Sequence, residues 1–202
     1  MKKKFAVMAI AGAALCMAAM PACAAEDLIT VGYAQVGHES DWRTANTQNY
    51  QDVFSEEAGY SLDLVDCDND NAAQLEAVRT FINKEMDYII IAPIQSAGWD
   101  TVLQEAQDAG IPVIIADREI EADASLYDAW VGTNTKNEGI TAGNWLAEYL
   151  GDKDANILVI EGSVGASATI GRTDGFNEVA KDHENWKILD SQSGDFTQAG
   201  GQ

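Results

Sequence analysis

Residues 88–118 read YIIIAPIQSAGWDTVLQEAQDAGIPVIIADR, and this stretch decides the fold. Tyr88 to Ala92 and Pro112 to Ala116 are short runs that are almost wholly apolar, while Val102, Leu103 and Ala106 recur between them at helical spacing before Gly110. An apolar run without alternation fits a strand buried on both faces, and a helix joining two such strands is a βαβ crossover. Gly110 supplies the residue type that most often ends a helix.

The same alternation extends in both directions. Further strands are expected at Leu28 to Ala34, Ser61 to Val65, Ala129 to Gly132, Asn156 to Glu161 and Trp186 to Asp190. Trp42, Ala45, Val53 and Phe54 are expected to share one helical face, with Asp41 as the cap. Ala72, Leu75, Val78 and Ile82 share another after a cap at Asn71. A fourth helix carries Leu146, Ala147 and Leu150 to Gly151, and a fifth runs from about Thr169 to Lys181. The polar stretch Glu119 to Tyr127 reads as a loop near a lobe boundary. The pattern therefore predicts an α/β protein of parallel sheets covered by helices.

The 202 residues have 47% hydrophobic and 22% charged content, which fits a globular protein rather than a disordered one. Lys2, Lys3 and Lys4, an apolar run from Phe5 to about Met20, and Pro21-Ala22-Cys23-Ala24-Ala25 before Glu26 read as an export signal over residues 1–25. The run is shorter than the ~20 residues of a membrane span. Met20-Pro21-Ala22-Cys23 partly matches a lipoprotein signal, so a lipid anchor at Cys23 stands as an alternative. Removal of the signal takes three lysines and no acid, moving net charge from −21 to −24. Such a surface repels nucleic acid and anionic lipid. Only Cys67 lies clear of the signal, and His38 and His183 are the only histidines, so neither a disulfide framework nor a metal site is expected.

In a parallel α/β sheet, ligands bind beyond the carboxyl ends of the strands. Those ends carry His38-Glu39-Ser40-Asp41-Trp42-Arg43, Pro93-Ile94-Gln95, Asp117-Arg118, Thr133-Asn134, Gly162 to Arg172, and Gln192 to Phe196. Carboxylates, guanidinium forks and aromatic faces suit a polyhydroxylated ring: the ions bridge vicinal hydroxyls and the rings cover C–H faces. Blander readings stand beside this one, with Trp42 as a core anchor, Asp41 as a cap only, and Asp117–Arg118 as a surface pair. Gly162 to Ser167 matches neither phosphate-binding glycine motif, because Gly165 and Gly171 are followed by Arg172 rather than by Lys and Ser or Thr. It reads as a tight turn that lets backbone approach a ligand. No nucleophile elbow or Cys–His pair is present, and His38 with Glu39 is the one acid–base pairing available to an enzyme.

Val31-Gly32-Tyr33, Ile91-Ala92-Pro93, Ile111-Pro112-Val113 leading to Asp117-Arg118, Glu161 to Ser167, Gly175-Phe176 and Ser191 to Phe196 together resemble the ribose and galactose type of periplasmic solute-binding proteins, which feed sugars to ABC transporters. Glu39-Ser40-Asp41-Trp42-Arg43 is most similar to the galactofuranose-binding members. The resemblance implies a type I periplasmic binding protein fold with two doubly wound, Rossmann-like lobes, 26–132 and 133–202, the second incomplete because the sequence stops shortly after Phe196. It implies no cofactor and no catalysis. It implies sugar contacts from Glu39, Trp42, Arg43, Asp117, Arg118, Asn134, Arg172 and Phe196, and a monomer in the periplasm or at the outer face of the cytoplasmic membrane with an ABC permease as partner. A sugar sensor handing its bound state to a chemoreceptor or histidine kinase is the alternative, and a sugar-modifying enzyme a further one.

Overall fold

A computed structural model describes residues 28–202. The export-signal and lipid-anchor readings fall on residues outside those described. Five parallel strands form one sheet in the order β2-β1-β3-β4-β5: β1 (Ile29–Gln35), β2 (Tyr60–Asp66), β3 (Tyr88–Ile91), β4 (Val113–Asp117) and β5 (Ala129–Gly132). A second parallel pair, β6 (Ala155–Glu161) and β7 (Trp186–Ser193), forms a separate sheet. Each strand lies where an apolar run predicts it, within a few residues at the ends. The first sheet buries Val31, Tyr33, Ile89, Ile91, Val113 and Ile115 under Val78, Phe81, Val102 and Leu103 of its helices, forming the core.

Helices α1 (Asp41–Val53), α2 (Asn71–Asn83) and α3 (Asp100–Asp108) connect the first four strands, and α4 (Thr135–Leu150) and α5 (Ser167–Ala180) belong to the second sheet. Both expected caps are displaced by one residue. Ser40 Oγ accepts from the Arg43 amide, and the Asp70 carboxylate accepts from the amides of Ala72 and Ala73. Asp41 and Asn71 instead occupy the first helical positions, one residue after the N-cap whose side chain closes onto the N2 and N3 amides.

The inward face of α1 also differs from expectation. Trp42, Ala45 and Val53 are exposed, and the residues turned to the sheet are Arg43, Asn46, Thr47, Tyr50 and Phe54. That face is largely polar because the sheet beneath it is polar at this end. Gln35, fully buried, donates from Nε2 to Asn46 Oδ1 (2.9 Å) and Thr47 Oγ1 (3.0 Å), Tyr33 donates to Asn46 Oδ1 (3.1 Å), and the Tyr33 and Tyr50 rings stack. Burial raises the Tyr33 phenol well above its ordinary pKa, so it stays a hydrogen-bond donor.

Glu119 to Tyr127 is a loop as expected, with one 3-10 turn at Ala124–Leu126, and it connects β4 to β5.

Gln74 of α2 joins the ends of two strands. Its buried amide donates to the carbonyls of Ala34 (3.2 Å) and Ala92 (2.7 Å) and accepts from the Ile94 amide (2.9 Å). Ala34 keeps a second donor, the Ala92 amide, whereas the Ala92 carbonyl and Ile94 amide have no other backbone partner among the described residues. Gln74→Leu therefore strands two buried polar groups and is expected to cost about 2 kcal/mol in urea unfolding; an unchanged midpoint would contradict this accounting.

Candidate functional site

Four charged side chains meet at the carboxyl ends of β1 and β4. Arg43, at the start of α1, donates from Nε to Glu39 Oε1 (3.2 Å) and from Nη2 to Asp117 Oδ2 (2.7 Å). Arg118 donates to the same Glu39 oxygen (3.5 Å) and to the Pro93 carbonyl (3.4 Å). The side chains of Glu39, Arg43 and Arg118 are 3%, 3% and 5% exposed. Two carboxylates balance two guanidiniums, which allows so much charge to lie out of water. Burial is the main influence that pulls the Arg118 pKa down to about 10, followed by repulsion from Arg43.

Consecutive residues at a strand end tend to point apart, yet Asp117 and Arg118 both reach this cluster. Asp117 is left-handed at φ 68°, and the Arg118 amide turns back to the Ala116 carbonyl (2.9 Å). That conformation is strained for a residue with a side chain. Gly132, its register partner on β5, permits it: a Cβ there would overlap the Asp117 carbonyl.

The second sheet contributes from the other side. Asp195 and Phe196 are both left-handed after β7, and this turn lays the Phe196 ring against the Arg118 guanidinium (4.9 Å) and near that of Arg172 (5.9 Å). Gly162 makes room for the ring, since a Cβ at that position would overlap it. Arg172 donates from Nε to Glu138 Oε2 (2.8 Å), the contact chiefly responsible for lowering the Glu138 pKa. Thr133 donates to the other Glu138 oxygen (2.9 Å).

Trp42 is 59% exposed, which removes the core-anchor reading, and its ring lies 4.8 Å from the Arg43 guanidinium. Seven of the eight expected residues thus form a continuous chain of contacts from Trp42 to Arg172. Asn134 stands outside it, its side chain accepting from the Asn137 amide (3.0 Å) as the α4 cap. Glu138 is the residue that sequence reading misses; its place four residues after that cap is its only signal.

His38 is directed away from Glu39: its Nδ1 lies 2.8 Å from Asp66, the contact that does most to raise its pKa. The acid–base pairing of His38 with Glu39 is not formed. The backbone of the Gly162–Ser167 turn approaches the first sheet, the Gly165 carbonyl accepting from the Ser96 amide (2.9 Å). Two polar atoms of the cluster, Glu39 Oε2 and Arg43 Nη1, are buried without a hydrogen-bond partner among the described residues. A groove of about 790 Å³ lined by Glu138, Arg172 and Phe196 also runs along Leu146, Ile157, Leu158, Ile160 and Ile188, apolar residues of the second sheet and its helix α4.

Two parallel α/β sheets that meet through the residues beyond their strand ends, with paired ions from one and an aromatic ring from the other, define a type I periplasmic binding protein. The chain belongs to the periplasmic binding protein family, whose domain matches residues 31–202. It is 42% identical over 186 residues to the galactofuranose-binding protein YtfQ of Escherichia coli, covering 92% of this chain and 58% of YtfQ. A structure from Mycobacterium smegmatis in complex with β-D-fucofuranose superposes with a TM-score of 0.81 at 42% identity, covering 86% of this chain and 58% of that one. The binding component of the arabinose ABC transporter of Shewanella sp. ANA-3, bound to L-arabinofuranose, gives 0.79 at 40% identity, covering 85% and 57%. The chain therefore spans a little over half the length of these relatives.

Proposed function

We propose that this protein is an extracytoplasmic receptor that captures a monosaccharide in furanose form and presents it to an ABC importer as a monomer. The observation that carries the reading is the pair of buried, unpartnered atoms Glu39 Oε2 and Arg43 Nη1, an acceptor and a donor on side chains that meet each other through Nε and Oε1 among balanced charges. A buried charged group without a partner is costly, and vicinal hydroxyls, each able to donate and accept, satisfy both. Glu39, Arg43, Asp117 and Arg118 then grip hydroxyls, Trp42 and Phe196 cover C–H faces, and Arg172 reaches in from the second unit. The furanose preference is supported by the sugars bound by the relatives named above. Units 26–132 and 133–202 close on the ligand by rotation between them.

Isothermal titration of the full-length polypeptide against furanoses and pyranoses tests the proposal. Micromolar or tighter binding of at least one furanose is expected, and binding of none of them defeats it.

A further inference from the structure

The contact between the two units at Ser96 lies outside the sugar cluster and is built differently. Ser96 follows β3 in the first unit and is 5% exposed. Its amide donates to the Gly165 carbonyl of the second unit (2.9 Å), while its hydroxyl donates to Glu121 Oε1 (2.9 Å) and its carbonyl accepts from the Glu121 amide (2.8 Å). The loop from β4 to β5 therefore holds Ser96 by two bonds. Upstream, the Gln95 carbonyl accepts from Nε1 of fully buried Trp99 (2.8 Å), and the Ile94 amide is held by Gln74.

The other partner is equally well fixed. Gly165 is left-handed at φ 82°, the Ala166 amide donates to the Ser163 carbonyl (3.3 Å), and the Thr169 hydroxyl donates to that same carbonyl (2.8 Å), tying the turn to α5. Each side is rigid within its own unit, so when the units part the Ser96–Gly165 bond must break as a whole while the bonds around it persist.

We infer that Ser96 and Glu121 are positioning residues of a latch between the units that sets how long the closed, sugar-bound form lasts. The inference rests on the receptor reading above. A latch formed only on closure slows opening and leaves the encounter with sugar untouched, so its effect falls on dissociation. Loss of one aligned hydrogen bond corresponds to a roughly threefold to tenfold faster release.

Stopped-flow tryptophan fluorescence on the full-length polypeptide, with a furanose it binds, reads both rates. Ser96→Ala combined with Glu121→Ala is expected to raise the dissociation rate about threefold to tenfold and leave association within about twofold. Glu121→Gln, which keeps an acceptor for the Ser96 hydroxyl, is expected to retain slow release. Independently, the Ser96 amide is expected to exchange with solvent more slowly once sugar is added. Unchanged dissociation in the double variant, release from Glu121→Gln as fast as from the double variant, or Ser96 exchange indifferent to sugar would each overturn the latch while the receptor reading stands. Absence of sugar binding in the unaltered protein defeats the receptor reading itself.

Discussion

Arg43→Ala is expected to abolish measurable sugar binding, a loss of more than about 100-fold, and to lower stability by about 4 kcal/mol. Among the described residues, Arg43 is the side chain that forms an ion pair with both acids of the cluster, Glu39 at 3.2 Å and Asp117 at 2.7 Å, and it is almost completely buried. Without it, Arg118 alone faces two carboxylates, one of them buried, and a buried charge left uncompensated is among the most destabilising of single changes. Arg43→Lys separates charge from geometry. A lysine keeps the positive charge but has no planar fork to bridge two carboxylates, so stability is expected to recover largely while affinity does not. Titration calorimetry and urea unfolding on the two variants check this, and binding by Arg43→Ala within tenfold of the unaltered protein would show that the cluster does not grip the ligand.

The strand pattern was legible because the central strands β1, β3 and β4 are covered on both faces, which leaves apolar runs such as Tyr88 to Ala92 with no competing reading. The site rim was legible for the same reason: once the strand ends are placed, the residues just beyond them are the candidates. The inward face of α1 was hidden, because periodicity arguments search for apolar stripes and this helix packs Arg43, Asn46 and Thr47 onto a polar layer made by Tyr33 and Gln35. The left-handed turn that brings Asp117 and Arg118 to one cluster depends on Gly132, a residue distant in sequence whose role exists only in the strand register. Glu138 and the Ser96–Gly165 bond were equally invisible, since both are contacts between segments far apart in the chain.

Gly175→Ala is expected to destabilise the second unit by about 3 kcal/mol, although alanine in a helix is intrinsically better than glycine by about 1 kcal/mol. Helices α4 and α5 approach each other at the level of their backbones: a Cβ on Gly175 would overlap the Lys136 carbonyl, and one on Gly139 would overlap the Arg172 carbonyl. Neither carbonyl can move without its helix, so an added methyl must push the helices apart. Glu138 and Arg172 flank this crossing, and their 2.8 Å contact depends on the close approach. Gly143 is the milder case, because a Cβ there would meet the Val179 Cβ at 2.8 Å rather than overlap a carbonyl, although that Cβ too moves only with its helix. Gly143→Ala is therefore expected to cost less than Gly175→Ala, about 1 to 2 kcal/mol net. Urea unfolding followed by circular dichroism measures both. Equal losses in the two variants, or a gain in Gly175→Ala, would mean that backbone contact does not set the distance between α4 and α5, and the approach of Arg172 to the rim would need another cause.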